Sequence, residues 1–120
     1  MVMKLIKEIK ERLGIDVQTE KIVISDGLVS HMKKHNHANV LKYLGDIETI
    51  IASPDYIGIN PRIEVPSVEY IKLFDDNILL AIKLDAKEDY FYTASMYEVT
   101  DAKLRSMLKS GRIKKFDKKQ

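Results

Sequence analysis

Two histidines and a lysine occupy one short segment of the chain. His31, Lys34 and His35 stand in Ser25–Asn39, the stretch that also holds His37, the third histidine of the sequence. Imidazole gains and loses a proton near neutral pH, so a pair of histidines can supply both a general base and a general acid. The ammonium group of Lys34 can hold an anion beside them. The segment therefore indicates proton-transfer chemistry on an anionic substrate.

The histidines are predicted to lie on one side of a helix. Asp26 is a suitable N-cap, and the helix is expected to run from there to about Asn36. His31 and His35 are then one turn apart. They lie along the edge of an apolar stripe that consists of Leu28, Val29 and Met32. We expect this seam, where the helix meets the rest of the fold, to border a cleft.

Other roles for these histidines remain open. Two histidines four residues apart can bind zinc, but the metalloprotease motif has Glu directly after the first His, and here Met32 follows. No metal or other cofactor is therefore predicted. The histidines can also simply pack or cap, and His37 is expected to be a capping or surface residue between two helices.

A second polar group is expected on the strand Tyr90–Tyr97. Side chains alternate along a strand, so this pattern places on one face Phe91, Thr93, Ser95 and Tyr97. Three hydroxyls form a poor core surface. They can be a solvated face, or they can donate to phosphate oxygens while the rings contact bases. Lys72 and Lys83 on neighbouring strands are predicted to stand beside them and bind substrate.

Together the two groups match the needs of metal-independent RNA cleavage. One residue removes the proton of the ribose 2′-OH, and another protonates the departing 5′-oxygen. Cations and hydrogen-bond donors stabilise the charge that develops on the phosphorus centre. On this interpretation His31 and His35 divide the base and acid roles. Lys34 holds the scissile phosphate, and Thr93, Ser95 and Tyr97 orient it.

The predicted elements that position these residues change from helices to strands along the chain. Helical spacing predicts Met3–Leu13, Asp26 to about Asn36, and Ala38 to Ala52, which Pro54 ends. Ile22–Ile24 is a short strand or extended segment. Alternation and turn residues predict the strands Tyr56–Ile59, Val68–Phe74, Ile78–Leu84 and Tyr90–Tyr97, and a last helix at Asp101–Lys109 between Thr100 and Gly111. Asn60, in the loop after the first of these strands, is a further candidate for substrate contact.

This order predicts an α+β fold. N-terminal helices pack on a four-stranded, mainly antiparallel sheet, and a C-terminal helix closes the chain. The 120 residues fit a single domain, with a core over about residues 20–110 and a basic tail at 111–120. No Cys is present, and neither a signal peptide nor a membrane span is seen, so we expect a cytoplasmic protein without disulfides.

Positive charge is concentrated in the last part of the chain. Residues 103–120 carry eight Lys or Arg and one Asp, a net charge of +7, whereas residues 1–102 carry 12 basic and 17 acidic side chains, a net charge of −5. Such a basic segment favours an anionic partner, most often nucleic acid, although a solvated tail is also common. Arg112, Lys114 and Lys115 are therefore predicted to bind RNA.

Several short motifs resemble a nuclease family. The segments V-S-H-M-K-K-H, P-D-Y-I-G-I-N and Y-T-A-S-M-Y are similar to the phage-associated branch of the barnase–EndoU–colicin–RelE-like nucleases. In that branch an H-x-x-K/R-H helix precedes a P-D segment and a four-stranded sheet. The resemblance covers about Ile22–Thr100.

The resemblance implies a metal-independent ribonuclease or a toxin-like domain that cuts tRNA or mRNA. By motif, His31, Lys34 and His35 match the helix, while Thr93, Ser95 and Tyr97 match the late strand. Asp55 and Asn60 match the middle segment. An antitoxin or immunity protein is then a possible partner. A non-catalytic RNA- or DNA-binding module and a phage-encoded protein-interaction domain on the same fold are the alternatives.

Overall fold

One seven-stranded sheet organises the part of the chain that the structure describes. The structure is a computed structural model that describes residues 2–5, 7–34, 38–61, 66–85 and 87–116. The strands are β1 Val2–Lys4, β2 Lys21–Val23, β3 Tyr56–Ile59, β4 Ser67–Leu73, β5 Asn77–Asp85, β6 Tyr90–Glu98 and β7 Ile113–Lys115. Their order across the sheet is β1-β2-β6-β5-β4-β3-β7, and every pair is antiparallel except β2 and β6.

The α+β class and the central meander are confirmed, but the four-stranded sheet is wrong. Strands β3 to β6 coincide closely with the four predicted strands. The additional strands β1, β2 and β7 contain only three residues each, too few to show a strand period in the sequence. Strand β1 overlaps the start of the predicted helix Met3–Leu13, and β7 lies inside the predicted basic tail. Only β2 was expected, as the short extended segment Ile22–Ile24.

The helices follow the prediction, except that the first begins at Lys7 and the third changes its type. They are α1 Lys7–Leu13, α2 Gly27–Lys34, a 3₁₀ helix Ala38–Asp46, α3 Ile47–Ala52 and α4 Asp101–Ser110. The predicted single helix from Ala38 to Ala52 is therefore 3₁₀ over its first nine residues. The ends of α4 are confirmed. The side chain of Thr100 accepts from the amide of Lys103, and Gly111 has a left-handed φ of 81°.

The sheet has two differently covered faces. One, here called the α2 face, carries Val68, Tyr70, Leu80, Ile82 and Phe91, which form a buried core with residues of α1, α2, the 3₁₀ helix and α3. The other, here called the α4 face, carries Ile71, Leu79, Ala81 and Ile113, which pack with Met107 of α4. Because one helix alone packs on the α4 face in the described structure, side chains beyond its reach are left for other contacts.

Candidate functional site

Helix α2 holds His31 at the boundary between core and solvent. Leu28 and Met32 are buried at 2% and 0% exposure and fix the rotation of the helix on the α2 face. His31 is half-buried and Lys34 is exposed. This is the seam position that the sequence predicts for His31. His35 and His37 lie outside the described residues.

Strand β6 contains a β-bulge that changes which side chains share a face. Ile82 of β5 is opposite Thr93, whereas the preceding Ala81 is opposite Ser95, so Ala94 is an extra residue in the ladder. Directly opposed residues project to the same face. Thr93 therefore lies on the α2 face, while Ser95 and Tyr97 lie on the α4 face. The predicted row of three hydroxyls is wrong, because the bulge breaks the alternation on which it depended.

Thr93 is buried and holds the start of α2. It is 1% exposed, and its hydroxyl oxygen accepts a hydrogen bond from the Ser25 amide at 2.8 Å. The Ser25 hydroxyl in turn accepts from the amide of Gly27, the first residue of α2. This position does not agree with the predicted role of Thr93 in orienting a phosphate, because the side chain has almost no contact with solvent.

Lys72 is predicted to bind substrate, but in the structure its ammonium group contacts other parts of the protein. Its ammonium donates to the Ser53 carbonyl at 2.7 Å, just after α3, and lies 3.9 Å from Asp55 Oδ2. The same Asp55 oxygen accepts from the Leu73 amide at 2.7 Å. Lys72 projects from β4 to the α2 face, away from Ser95 and Tyr97. Asp55 and Lys72 together join the end of α3 to β4.

A buried ion pair lies on the α4 face. Arg112, just before β7, donates from Nε and Nη2 to the two oxygens of Glu69 at 2.8 and 2.7 Å. The Glu69 side chain is 1% exposed and that of Arg112 is 15% exposed. Gly58 of β3 makes this contact possible, since a Cβ there would clash with the Arg112 carbonyl oxygen. The backbone at Arg112 can therefore lie close to β3, and the Arg112 side chain reaches Glu69 on β4.

Three of the predicted polar residues share the α4 face with this pair. Lys83 is opposite Tyr92 and alternates with Ala81, which places it on the same face as Ser95 and Tyr97. Burial raises the pKa of Tyr97, the Glu69 carboxylate raises it further, and the Arg112 guanidinium partly offsets this effect. Its hydrogen bond to Glu69 raises the pKa of Arg112. Tyr97 thus keeps its proton and Arg112 its charge at neutral pH.

The described part of the basic segment is ordered into the sheet. Lys114 and Lys115 belong to β7 and are exposed, and Phe116 is buried at 5% exposure. The Lys114 ammonium donates to the Arg12 carbonyl at 3.4 Å, so it reaches the end of α1. Asn60 directly follows β3, and its backbone amide donates to the Ser67 carbonyl at 3.1 Å.

The predicted site residues therefore separate into two groups. His31, Lys34, Thr93 and Lys72 belong to the α2 side of the sheet, and Ser95, Tyr97, Lys83 and Arg112 belong to the α4 side. Glu69 is a buried charged residue for which the sequence motifs predict no role. The signal for it was a carboxylate within the apolar run of β4, where an unpaired charge is costly and a partner is required.

Comparison with protein families identifies the chain. Residues 1–106 match the model of a family described as phage-Barnase-EndoU-ColicinE5/D-RelE like nuclease3. The chain belongs to this family. The match extends past the Ile22–Thr100 region of the sequence resemblance at both ends and includes α1. Searches of the curated proteins and of the solved structures find no significant match.

Two further observations concern the described residues. No helix among them is both long and apolar enough to cross a bilayer. Within the same ranges, no three side chains of the types His, Cys, Asp and Glu are grouped in a way that could hold a metal ion.

Proposed function

We propose that this member of the nuclease family is a metal-independent endoribonuclease. The 2′-oxygen of a ribose attacks the adjacent phosphorus, and the bond from phosphorus to the 5′-oxygen breaks. The products are an RNA fragment that ends in a 2′,3′-cyclic phosphate and a fragment with a free 5′-OH. RNA supplies its own nucleophile in this reaction, so the protein needs a base, an acid and positive charge.

The observation that carries the proposal is the position of His31. It is held at the boundary of the core by Leu28 and Met32, with Lys34 exposed one turn further along. A half-buried imidazole keeps a defined orientation and still reaches a substrate. We assign the base and acid roles to His31 and His35, and phosphate binding to Lys34. Ser95 and Tyr97 lie on the other face of the sheet, so we do not include them in this centre.

The test is cleavage of RNA in the presence of EDTA. Purified protein is incubated with total tRNA and with a mixed-sequence RNA, and the fragment ends are analysed for cyclic phosphate. We expect His31→Ala to slow cleavage by about 10²–10⁴-fold, the usual contribution of a general acid or base. The thermal midpoint should be nearly unchanged.

Lys33 and Lys34 provide a matched pair for the same experiment. Both are exposed residues of α2, but Lys33 projects about 160° away from His31 around the helix, whereas Lys34 is about 60° away. Lys34→Ala should slow cleavage and Lys33→Ala should not. Equal effects of the two changes, or full activity of His31→Ala, would contradict the assignment of the centre to α2.

A toxin-like role in the cytoplasm belongs to the same proposal. Cleavage of cellular RNA would arrest growth, and a protein antitoxin or immunity partner would then protect the producing cell. Expression in bacteria should give few viable cells with the parent chain and normal growth with His31→Ala. Normal growth with both the parent chain and His31→Ala would contradict the toxin-like role. The cleavage assay would then be the test of the ribonuclease proposal.

A non-catalytic RNA-binding module is the second candidate. The observation that favours it is the separation of Thr93 and the histidine helix from Ser95 and Tyr97, because the predicted acid–base and phosphate-orienting groups do not meet. Binding of RNA without product formation, unaffected by His31→Ala, would favour this function over cleavage.

A further inference from the structure

A cavity of about 440 Å³ lies near the ion pair, where the end of α1 meets the turn between α4 and β7. It is lined by Leu13, Ile59, Pro61, Ser110, Gly111, Arg112 and Lys114. Its volume is within the range of about 300–1,000 Å³ that is usual for small-ligand sites. Neither His31 nor Lys34 lines it, so the cavity is separate from the proposed cleavage centre.

The lining combines an apolar wall with two cationic side chains. Leu13, Ile59 and Pro61 provide the wall, and Arg112 and Lys114 provide the positive charge. A ligand that matches this combination has a flat, weakly polar part and an anionic part. A nucleotide has both, since the base presents a broad ring face and the phosphate carries the charge.

Arg112 has donors that the ion pair does not use. The bidentate contact with Glu69 uses Nε and Nη2, and a guanidinium has five N–H donors, so further donors remain after the pair has formed. The two bonds to Glu69 hold the guanidinium in one orientation. Glu69 would thus act as a positioning residue, since its 1% exposure leaves it almost no surface to offer to a ligand.

Lys114 supplies the charge that Glu69 does not neutralise. It is exposed, and its one described hydrogen bond is to the Arg12 carbonyl, a neutral group. Its neighbour Lys115 is also exposed but lies on the other side of β7, opposite Tyr56, and does not line the cavity, so the RNA contact predicted for Lys115 is not included in this site. The strand therefore directs one lysine toward the cavity and one away from it.

We propose that this cavity is a nucleotide subsite for an RNA strand, with the phosphate held by Arg112 and Lys114 and the base on Leu13, Ile59 and Pro61. The proposal rests on the proposed function for its ligand, RNA. The subsite holds a nucleotide remote from the cleaved bond. It adds affinity for RNA and selects the path of the RNA strand, and it takes no part in proton transfer.

The test compares Lys114→Gln with Lys115→Gln. Both remove one charge from the same strand, so their effects on long-range attraction are matched. Binding of a single-stranded RNA with 2′-O-methyl groups, which cannot be cleaved by 2′-OH attack, is followed by fluorescence anisotropy at several salt concentrations. We expect Lys114→Gln to weaken binding by about three- to tenfold and to reduce the salt slope by about 0.7, the value for one phosphate contact on a single strand. Lys115→Gln should leave the slope nearly unchanged. Equal effects would overturn the proposal.

A second measurement tests the role of the apolar wall. Uridine 5′-monophosphate and ribose 5-phosphate are titrated into ¹⁵N-labelled protein, and the amide shifts of Ile59 and Gly111 are followed. The nucleotide should perturb both amides and bind more tightly than the sugar phosphate. Equal binding of the two would identify a simple anion site and overturn the nucleotide assignment.

Failure of the two proposals gives different results. If the parent protein binds the nucleotide at Ile59 and Gly111 but cleaves no RNA, the ribonuclease proposal fails and the subsite remains. If RNA is cleaved in a His31-dependent way but the two lysine variants bind equally, the subsite fails and the ribonuclease remains.

Discussion

The two faces of the sheet are built on different principles. The α2 face is covered by helices and holds an almost entirely apolar core, with Leu28, Met32 and Phe91 at or below 2% exposure. The α4 face has an apolar cluster around Met107 and, beside it, the charged pair Glu69–Arg112. The stability of the first face therefore comes from the burial of apolar area, whereas the second depends in part on one electrostatic contact.

This difference indicates where the molecule has room for function. Burial of an ion pair rarely stabilises a fold more than apolar residues of the same volume would. Its presence on the α4 face agrees with the ligand-binding role that we propose for Arg112. On the α2 face, the proposed cleavage centre lies at the rim of helix α2, where His31 reaches solvent.

The largest expected effect comes from removal of one member of the ion pair. Arg112→Ala leaves the Glu69 carboxylate buried without its partner and should lower the free energy of unfolding by about 3–5 kcal/mol. Urea denaturation followed by circular dichroism measures this loss. The double variant Glu69→Leu/Arg112→Leu should recover a substantial part of it, because neither charge is then left buried. If the loss of unfolding free energy in the double variant equals the sum of the losses in the two single variants, the pair contributes no coupling energy.

The next largest effect concerns the β-bulge in β6, which places Thr93 and Ser95 on opposite faces of the sheet. Thr93→Val leaves the Ser25 amide without its acceptor inside the protein and should cost about 1–3 kcal/mol of unfolding free energy. Ser95 is half-buried, and Ser95→Ala should change stability by no more than about 0.5 kcal/mol. Similar losses in denaturant titrations of the two variants would mean that Thr93 and Ser95 share an environment, against the described register.

The smallest effect is a pH dependence of stability, which arises from a hydrogen bond just before β5. The Tyr43 hydroxyl donates to Asp76 at 2.7 Å, and this hydrogen bond raises the pKa of Tyr43 to about 12 and lowers the pKa of Asp76 below 3.8. A raised tyrosine pKa stabilises the fold below pH 10, and this stability is lost as the pH rises toward 12. A lowered Asp pKa stabilises it above pH 3.8, and this part is lost in acid.

Tyr43→Phe isolates that contribution. Near neutral pH the variant should have a lower thermal midpoint than the parent, because the hydrogen bond is absent. The difference between the two midpoints should shrink as the pH rises from 10 to 12 and again as it falls below 3.8. A difference that stays constant across the whole range would mean that neither titration is linked to folding.

The sequence predicts well those parts of the fold that local patterns determine. Four strands, the cap at Thr100 and the left-handed Gly111 are confirmed, because alternation and capping involve residues close in the chain. The half-buried position of His31 is also confirmed, since it follows from helical spacing. The family is confirmed too, from short motifs on α2, β3 and β6.

The errors have a common physical cause in contacts between distant residues. The bulge at Ala94 depends on how β6 pairs with β5, and the alternation of β6 alone contains no sign of it. Glu69 and Arg112 are 43 residues apart, and only the assembled sheet brings them together. The three-residue strands β1 and β7 form only where the fold brings them beside β2 and β3, whose backbone groups they pair with.

The outermost strands of the sheet also bear on edge-to-edge contact between copies of this protein. Strands β1 and β7 lie at its two ends, and an open strand edge can recruit another chain through its free backbone groups. Both strands are only three residues long and carry exposed lysines, Lys4 on one and Lys114 and Lys115 on the other. Short length and positive charge are two common defences against edge-to-edge aggregation. Lys114, which is proposed to hold an RNA phosphate, thus also contributes to the protection of the β7 edge.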